Sequence, residues 1–182
     1  MVPGVNAVLG KLVALGGGLV TLPTATQVVP SWTLQQACRT GELLRVLPEV
    51  FVAAHLVGER PGAPVISRLD PALGHRAALT WADGGGALSH LSALHAWGLR
   101  AQSSGDLLHL STPASTGLRS RPGLVVHRRR NLLIEPPHVV VRRGLRISRL
   151  EQALVDSWPA LPPAERRVPV IRAVNERLTT VE

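Results

Sequence analysis

The amino-acid sequence predicts an α/β fold with a small N-terminal module and a mixed second domain. Apolar residues recur first at helical and then at strand-like spacings along the chain, which indicates that helices and strands alternate. The chain has 182 residues, of which 45% are hydrophobic and 18% charged. It is therefore long enough to bury a core without disulfides or metal ions. Cys38 is its one cysteine, which excludes a disulfide scaffold and a cysteine-based zinc finger.

The N-terminal module begins with two short helices. Apolar residues within residues 6–15 follow the spacing of an amphipathic helix, and the glycines at 16–18 end it. Residues 19–21 are a short extended segment, and residues 24–28 can form a second short helix. Pro30 breaks that helix, because proline restricts the residue before it.

A third helix and a hairpin complete the module. Ser31 is a good N-cap for a helix over residues 32–39. The β-prone runs 43–46 and 50–53 flank Leu47-Pro48-Glu49 and predict a hairpin. Helix, short helix, turn, helix and hairpin is the order of a winged helix-turn-helix. We therefore assign residues 1–55 to a winged helix-turn-helix DNA-binding domain.

A Gly/Pro-rich stretch over residues 56–69 is interpreted as a linker, and residues 70–182 as a small mixed α/β domain. The expected elements of this domain are helices over 72–81 and 88–97, strands over 107–110 and 124–127, a hairpin of 139–142 with 145–147, and helices from 150 to about 158 and from 164 to 178. Pro169 lies inside the last helix, so that helix is expected to begin near Val168.

The helix after the hairpin is expected to begin with a capping box. Ser148 and Glu151 have the required spacing. Leu150, Leu154 and Val155 are predicted to face the core.

The positive charge of the chain is concentrated in one stretch. The formal net charge is +8, and residues 119–149 alone hold nine arginines and one glutamate. Such a local excess favours an anionic partner, most often nucleic acid, although a solvated basic face has the same signature. The predicted basic patch consists of Arg119, Arg121, Arg128, Arg129, Arg130, Arg142, Arg143 and Arg146. The arginines at 128–130 are expected in a loop after a strand.

The third helix carries the side chains that suit the reading of DNA. In a helix-turn-helix the second helix of the motif enters the major groove, where glutamine can bind adenine and arginine can bind guanine or phosphate. The predicted DNA-binding residues are Ser31, Trp32, Thr33, Gln35, Gln36, Arg39 and, on the wing, Arg45. An ordinary polar helix face is the alternative.

No metal, cofactor or catalytic group is predicted. His90 and His95 are five residues apart, so they do not converge on a helix, and no thiol or carboxylate accompanies them at ligand spacing. Ser89-His90 with a distant aspartate is too common a combination to predict a catalytic triad. We therefore expect a protein that is not an enzyme.

No segment is convincingly membrane-spanning, since glycines and prolines interrupt the uncharged stretch 12–38. A signal peptide with its apolar core at 12–22 is an alternative, and a secreted protein would then be cleaved near Thr26. The favoured location is the cytoplasm.

Five stretches together resemble the AbiEi-like antitoxin family of type IV toxin–antitoxin systems. They are TGELLRVLPEVFV at 40–52, GALSHLSALHAWGL at 86–99, HLSTP at 109–113, RSRPGLVVHR at 119–128 and GLRISRLEQALVD at 144–156. The resemblance covers about residues 6–178, and it depends on the order of the motifs rather than on any one of them.

The resemblance implies a repressor that binds its own promoter as double-stranded DNA and counteracts a nucleotidyltransferase-like toxin. It also implies a basic face on the second domain and is compatible with a homodimer on DNA. Many longer relatives continue into an endonuclease-like domain. The alternative is therefore the regulatory half of an endonuclease-like protein, acting as an interaction module. Glu49 departs from the pattern, because the family usually has glycine in the wing turn.

Overall fold

Helices and β-sheets alternate along the chain, which confirms the predicted α/β class. The computed structural model describes residues 6–103 and 105–179, and within them the chain forms seven α-helices and eight β-strands. The contacts divide the chain at the junction of Trp81 and Ala82. We call the two parts the N-terminal unit and the C-terminal unit.

Within residues 6–81, the N-terminal unit contains four α-helices and three strands. They are α1 (Ala7–Leu15), β1 (Leu19–Thr21), α2 (Leu22–Thr26), α3 (Ser31–Arg39), β2 (Leu43–Leu47), β3 (Val50–Ala53) and α4 (Pro71–Trp81). Asn6 caps α1 by accepting a hydrogen bond from the Val8 N–H at 3.0 Å. The predicted helices, extended segment and hairpin of residues 6–53 are thus all present, with boundaries shifted by a few residues.

An antiparallel sheet in the order β1-β3-β2 supports the helices of this unit. Its core contains Leu9, Val20, Leu34 and Leu43, each no more than 4% exposed. These side chains come from α1, β1, α3 and β2, so α3 is held by its apolar side against the other elements. Burial of this kind stabilises by about 25 cal/mol per Å² of apolar surface.

The segment expected to be a linker is folded into the N-terminal unit. It contains 3-10 helices at Ala54–Leu56 and Val65–Arg68. The Gly58 N–H donates to the Arg68 carbonyl at 2.9 Å, and the Arg68 Nε donates back to the Gly58 carbonyl at 2.7 Å. These two hydrogen bonds join residues 58 and 68 and so form a closed loop between them. Helix α4 follows within the same unit, whereas the sequence assigned it to the second domain.

The turn of the β2–β3 hairpin places Glu49 in the left-handed region, with φ at +61°. We expect Glu49→Gly to raise the free energy of unfolding by about 1 kcal/mol, because glycine adopts this conformation without steric cost. The carbonyl of residue 49 also accepts the Leu22 N–H at 2.8 Å, and glycine keeps that bond. Urea denaturation monitored by tryptophan fluorescence measures the change.

Glu49→Asn is the matched control for this prediction, since asparagine removes the charge but tolerates the left-handed region only in part. It should give a smaller gain than glycine. An equal gain from both substitutions would attribute the effect to charge and not to backbone conformation.

Over residues 82–103 and 105–179, the C-terminal unit is a five-stranded mixed sheet with three α-helices. Its elements are β4 (Ala87–Leu88), α5 (His90–Trp97), β5 (Leu108–Pro113), β6 (Leu124–Arg129), β7 (Val139–Arg142), β8 (Leu145–Ser148), α6 (Leu150–Ser157) and α7 (Arg167–Asn175). The strand order is β6-β5-β4-β8-β7. Strands β5 and β6 are parallel, as are β4 and β8, and the other two pairs are antiparallel.

Two predicted helix starts are wrong. Pro30, not Ser31, is the N-cap of α3, and Ser31 is its exposed first residue. The predicted capping box is not formed, because Ser148 ends β8 and pairs with Val139, so that Arg149 becomes the N-cap of α6. In both places the preceding backbone is fixed in an extended conformation, which takes the predicted cap residue out of position.

The predicted core face of α6 is partly wrong. Leu150 is 3% exposed, but Val155 is 68% exposed. Ala153 and Ser157 are both fully buried in its place. These two residues are four apart, so they share the side of the helix that packs inward.

Helix α7 begins at Arg167 with Pro169 in its first turn, as predicted from the cost of an interior proline. None of the helices within residues 6–103 and 105–179 is long and apolar enough to span a bilayer.

Candidate functional site

Helix α3 presents a polar outer face. The side chain of Trp32 is 62% exposed, and Gln35, Gln36 and Arg39 are exposed as well. Three- and four-residue spacings place these side chains together on the helix surface. The face therefore offers two amides, a guanidinium and an indole ring to a ligand.

Thr33 does not belong to this face. It is only 6% exposed and lies on the buried side of α3 with Leu34 and Ala37. Thr33 is four residues before Ala37, so the two side chains point in the same direction. Its assignment as a DNA-contacting residue is wrong, and its hydroxyl is part of the interior.

Strand β2 lies beside the end of α3. Arg45 is exposed on β2, and its charge acts on Cys38 of the helix. Burial raises the pKa of the Cys38 thiol, while Arg45 partly offsets that rise. Arg45 and Arg39 therefore belong to one region of the N-terminal unit.

The arginines of the C-terminal unit do not form one uniform patch. Arg128 and Arg129 lie within β6 and not in a loop, because the strand extends to Arg129. The Arg129 guanidinium forms an ion pair with Asp156 of α6. Arg142 stacks over the Trp97 ring, with its guanidinium carbon 4.9 Å from the ring centroid.

The remaining members of the predicted patch are placed as follows. Arg146 of β8 is half-buried, and its guanidinium lies against Gly84. The exposed members are Arg119, Arg121, Arg128, Arg130 and Arg143. Within the predicted patch, these five present their charge to solvent.

A cleft of about 340 Å³ opens beside the Arg129–Asp156 pair. The residues that line it are Ser111, Arg129, Arg130, Asn131, Leu132, His138, Ser148, Arg149, Gln152 and Asp156. Ser111 and Ser148 are 2% and 4% exposed, and their hydroxyls make no hydrogen bond within the described part of the chain. Three guanidinium groups and one carboxylate are among the groups that border this cleft.

Three histidines from different elements meet in the C-terminal unit. His90 is the first residue of α5, His109 lies in β5 and His127 in β6. One nitrogen from each ring lies within 4.8 Å of the other two. We call these three residues the histidine cluster.

The strand register explains this meeting. In the parallel β5–β6 pair, His127 lies opposite Ser111, two residues beyond His109. Residues opposite each other and residues two apart share one face of a sheet, so both rings stand on the same face. His109 Nδ1 is 3.0 Å from His127 Nε2, and one of the two carries the shared proton.

Two hydrogen bonds fix the start of α5 over this face. The Ser89 N–H donates to the His109 carbonyl at 3.0 Å, and the His109 N–H donates to the Ser92 Oγ at 2.9 Å. His90 has a φ of +49°, which is unfavourable for a side chain that is not glycine. Its ring stacks on that of His127, with centroids 3.7 Å apart and planes at 16°.

The environment of the cluster favours neutral rings. Burial lowers the pKa of His90 to about 4, assisted by His127 and opposed by Asp156. Burial also lowers the pKa of His109 to about 4, assisted by His127 and opposed by Asp106. The pKa of His127 is lowered by burial and then by Arg129, with Asp156 again opposing. Neutral imidazole is the form that binds metal ions.

Sequence reasoning missed this cluster because it compared His90 only with His95 on the same helix. His109 and His127 each follow an apolar residue in a strand, Leu108 and Val126. Alternation of this kind places a histidine on the face opposite its apolar neighbours. The pairing of the two strands was needed to bring the rings together.

Comparison with the models of known protein families gives no match, and comparison with the curated proteins gives none either.

Proposed function

We propose that the protein is a DNA-binding transcriptional repressor whose N-terminal unit is a winged helix-turn-helix. The observation that carries this proposal is the exposed polar face of α3, which follows α2 across a short turn and precedes the β2–β3 hairpin. In this class of module, the second helix of the motif lies in the major groove. The hairpin would be the wing.

The side chains on α3 suit this role. Gln35 and Gln36 can pair with adenine through both amide groups, and Arg39 can bind guanine or phosphate. Trp32 adds an aromatic surface, and aromatic side chains that are exposed to this extent often mark a binding face. Arg45 on the wing would contact phosphate.

The small charge of the N-terminal unit limits the affinity of a single copy. Phosphate neutralisation supplies most non-specific affinity, and α3 with the wing offers Arg39 and Arg45 against Glu42 and Glu49. We therefore propose that the protein binds a palindromic operator as a homodimer, so that two modules act together. The five exposed arginines of the predicted patch would add phosphate contacts.

Fluorescence anisotropy with the DNA upstream of the gene and a scrambled duplex tests the repressor proposal. We expect wild-type protein to prefer the upstream duplex, and Gln36→Ala with Arg39→Ala to weaken that binding by about 2–4 kcal/mol, as for loss of two base contacts. Arg167→Ala is the matched control, because it removes an exposed arginine from α7.

Equal binding to both duplexes by the wild type, or equal loss from Arg167→Ala, would contradict sequence reading by α3. A steep salt dependence of such binding would then indicate phosphate contacts alone.

We further propose, from the resemblance of the motifs, that the repressor serves as the antitoxin of a type IV toxin–antitoxin pair in the cytoplasm and is not an enzyme. Co-expression with a nucleotidyltransferase-like toxin encoded next to it tests this role. The chain should restore growth. Failure to restore growth would contradict the antitoxin role but not the repressor role. The alternative of an interaction module from an endonuclease-like protein predicts no rescue and no operator binding.

A further inference from the structure

We propose that the histidine cluster is a binding site for a divalent transition-metal ion of the zinc class, with His90, His109 and His127 as ligands. This site is independent of the DNA-binding face of the N-terminal unit. Imidazole nitrogen suits zinc, copper, iron and nickel, whereas magnesium and calcium prefer oxygen. The absence of carboxylate and thiolate donors within the cluster itself therefore selects this class of ion.

The distances fit such an ion. Tetrahedral zinc binds imidazole nitrogen at about 2.0–2.1 Å, so two ligand nitrogens are about 3.3 Å apart. His109 Nδ1 and His127 Nε2 are already 3.0 Å apart. All three donor atoms lie within 4.8 Å of one another, so the longest edge must close by about 1.5 Å. The His90 ring, which stacks on His127, must turn to close that edge.

The surroundings of the cluster include polar groups of the kind found in the second shell of a metal site. Ser89 is fully buried, and its Oγ lies 3.0 Å from His90 Nδ1. That contact occupies one nitrogen of His90 and leaves Nε2 for an ion. Ser92 fixes the backbone of His109.

Two further observations point to a ligand. His90 keeps a positive φ at the position where its ring meets the other two, and such strain persists only where the surroundings enforce it. The Asp156 carboxylate raises the pKa of both His90 and His127, so its negative charge acts on the site. The ion pair with Arg129 already compensates part of that charge.

Three protein ligands are the number found in catalytic zinc sites, in which water or a substrate holds the fourth position. Structural zinc sites use four. The site would therefore leave one coordination position of the ion for water or another ligand.

Metal titration of the full chain tests the proposal. Protein dialysed against a chelator is titrated with Zn²⁺ in competition with a chromophoric chelator, and with Co²⁺ followed by visible absorption. We expect one equivalent of Zn²⁺ per chain, strong d–d bands for Co²⁺ at one equivalent, and no competition from Mg²⁺.

Variants identify the ligands. His109→Gln and His127→Gln should each weaken Zn²⁺ binding by more than about 100-fold, beyond the 10–100-fold that loss of an outer-shell partner costs. Ser89→Ala should fall within that smaller range. His55→Gln is the matched control, because His55 is an exposed histidine of the N-terminal unit, and it should bind as the wild type does.

A measurement on the wild type avoids dependence on variants that fail to fold. Long-range ¹H–¹⁵N spectra report each of the seven imidazole rings, and one equivalent of Zn²⁺ should shift the resonances of three. No binding by the wild type, unchanged binding in His109→Gln, or shifts confined to other rings would each overturn the proposal.

Discussion

Replacing Asp156 with asparagine is expected to lower the free energy of unfolding of the C-terminal unit by about 2–3 kcal/mol. The Asp156 side chain is 8% exposed, pairs with Arg129 and accepts a hydrogen bond from Gln152 Nε2 at 2.7 Å. Removal of one member of a buried pair leaves the other charge without compensation, which costs about 3–5 kcal/mol. Arg129 remains 33% exposed, so solvent reduces that cost.

Urea denaturation compared with Glu176→Gln measures the effect. Arg172 and Glu176 form an exposed pair on α7, each side chain 47% exposed, and such pairs contribute at most about 1 kcal/mol. Adding Arg129→Met to Asp156→Asn should recover part of the loss, because the uncompensated guanidinium is then removed. Equal costs for Asp156→Asn and Glu176→Gln would show that the ion pair does not stabilise the unit.

The order of elements in the N-terminal unit could be predicted because local signals determine it. Glycines 16–18 end α1, Pro30 separates α2 from α3, and the Leu47-Pro48-Glu49 turn fixes the hairpin. These are short-range effects of backbone conformation. The residue type of Thr33 did not place it, since a short polar side chain suits either side of a helix. Its four-residue spacing to the buried Ala37 was the signal that could have placed it in the interior.

The functional arrangement of the C-terminal unit depends on long-range pairing and could not be predicted. Residues 90, 109 and 127 are separated by about twenty positions each, and the β5–β6 register brings the last two together. Likewise, the charge of Arg129 was evident, but its partner Asp156 lies 27 positions further along the chain. The sequence shows that arginines concentrate in one segment. Tertiary contacts decide which of their guanidinium groups stay exposed to a partner.

Acidification of the metal-free protein from pH 6.5 to about pH 4 is expected to reduce the stability of the C-terminal unit. Burial lowers the pKa of His90 and His109 to about 4 in the folded protein, while unfolded histidine keeps its ordinary value near 6.5. The unfolded chain therefore binds more protons in this range, so stability falls as the pH falls. Above about pH 6.5 the rings are neutral in both states, and their contribution does not change with pH.

The charged groups around the cluster set the size of this effect. Arg129 opposes protonation of His127, whereas Asp156 and Asp106 favour protonation of their neighbouring histidines. We expect a loss of about 1 kcal/mol for each of His90 and His109. This is well below the roughly 3.5 kcal/mol that a shift from 6.5 to about 4 would give at 1.4 kcal/mol per pKa unit, because the rings retain solvent contact.

Urea denaturation at several values between pH 7.5 and pH 5, with chelator present, measures the slope. That range lies above the ordinary pKa of aspartate and glutamate, so histidine dominates the proton uptake within it. His90→Gln and His109→Gln should each flatten the slope, and His55→Gln should leave it unchanged. The dependence of the free energy of unfolding on pH could instead persist when both His90 and His109 are replaced. That result would assign the acid sensitivity to other groups and would contradict the lowered pKa of these two histidines.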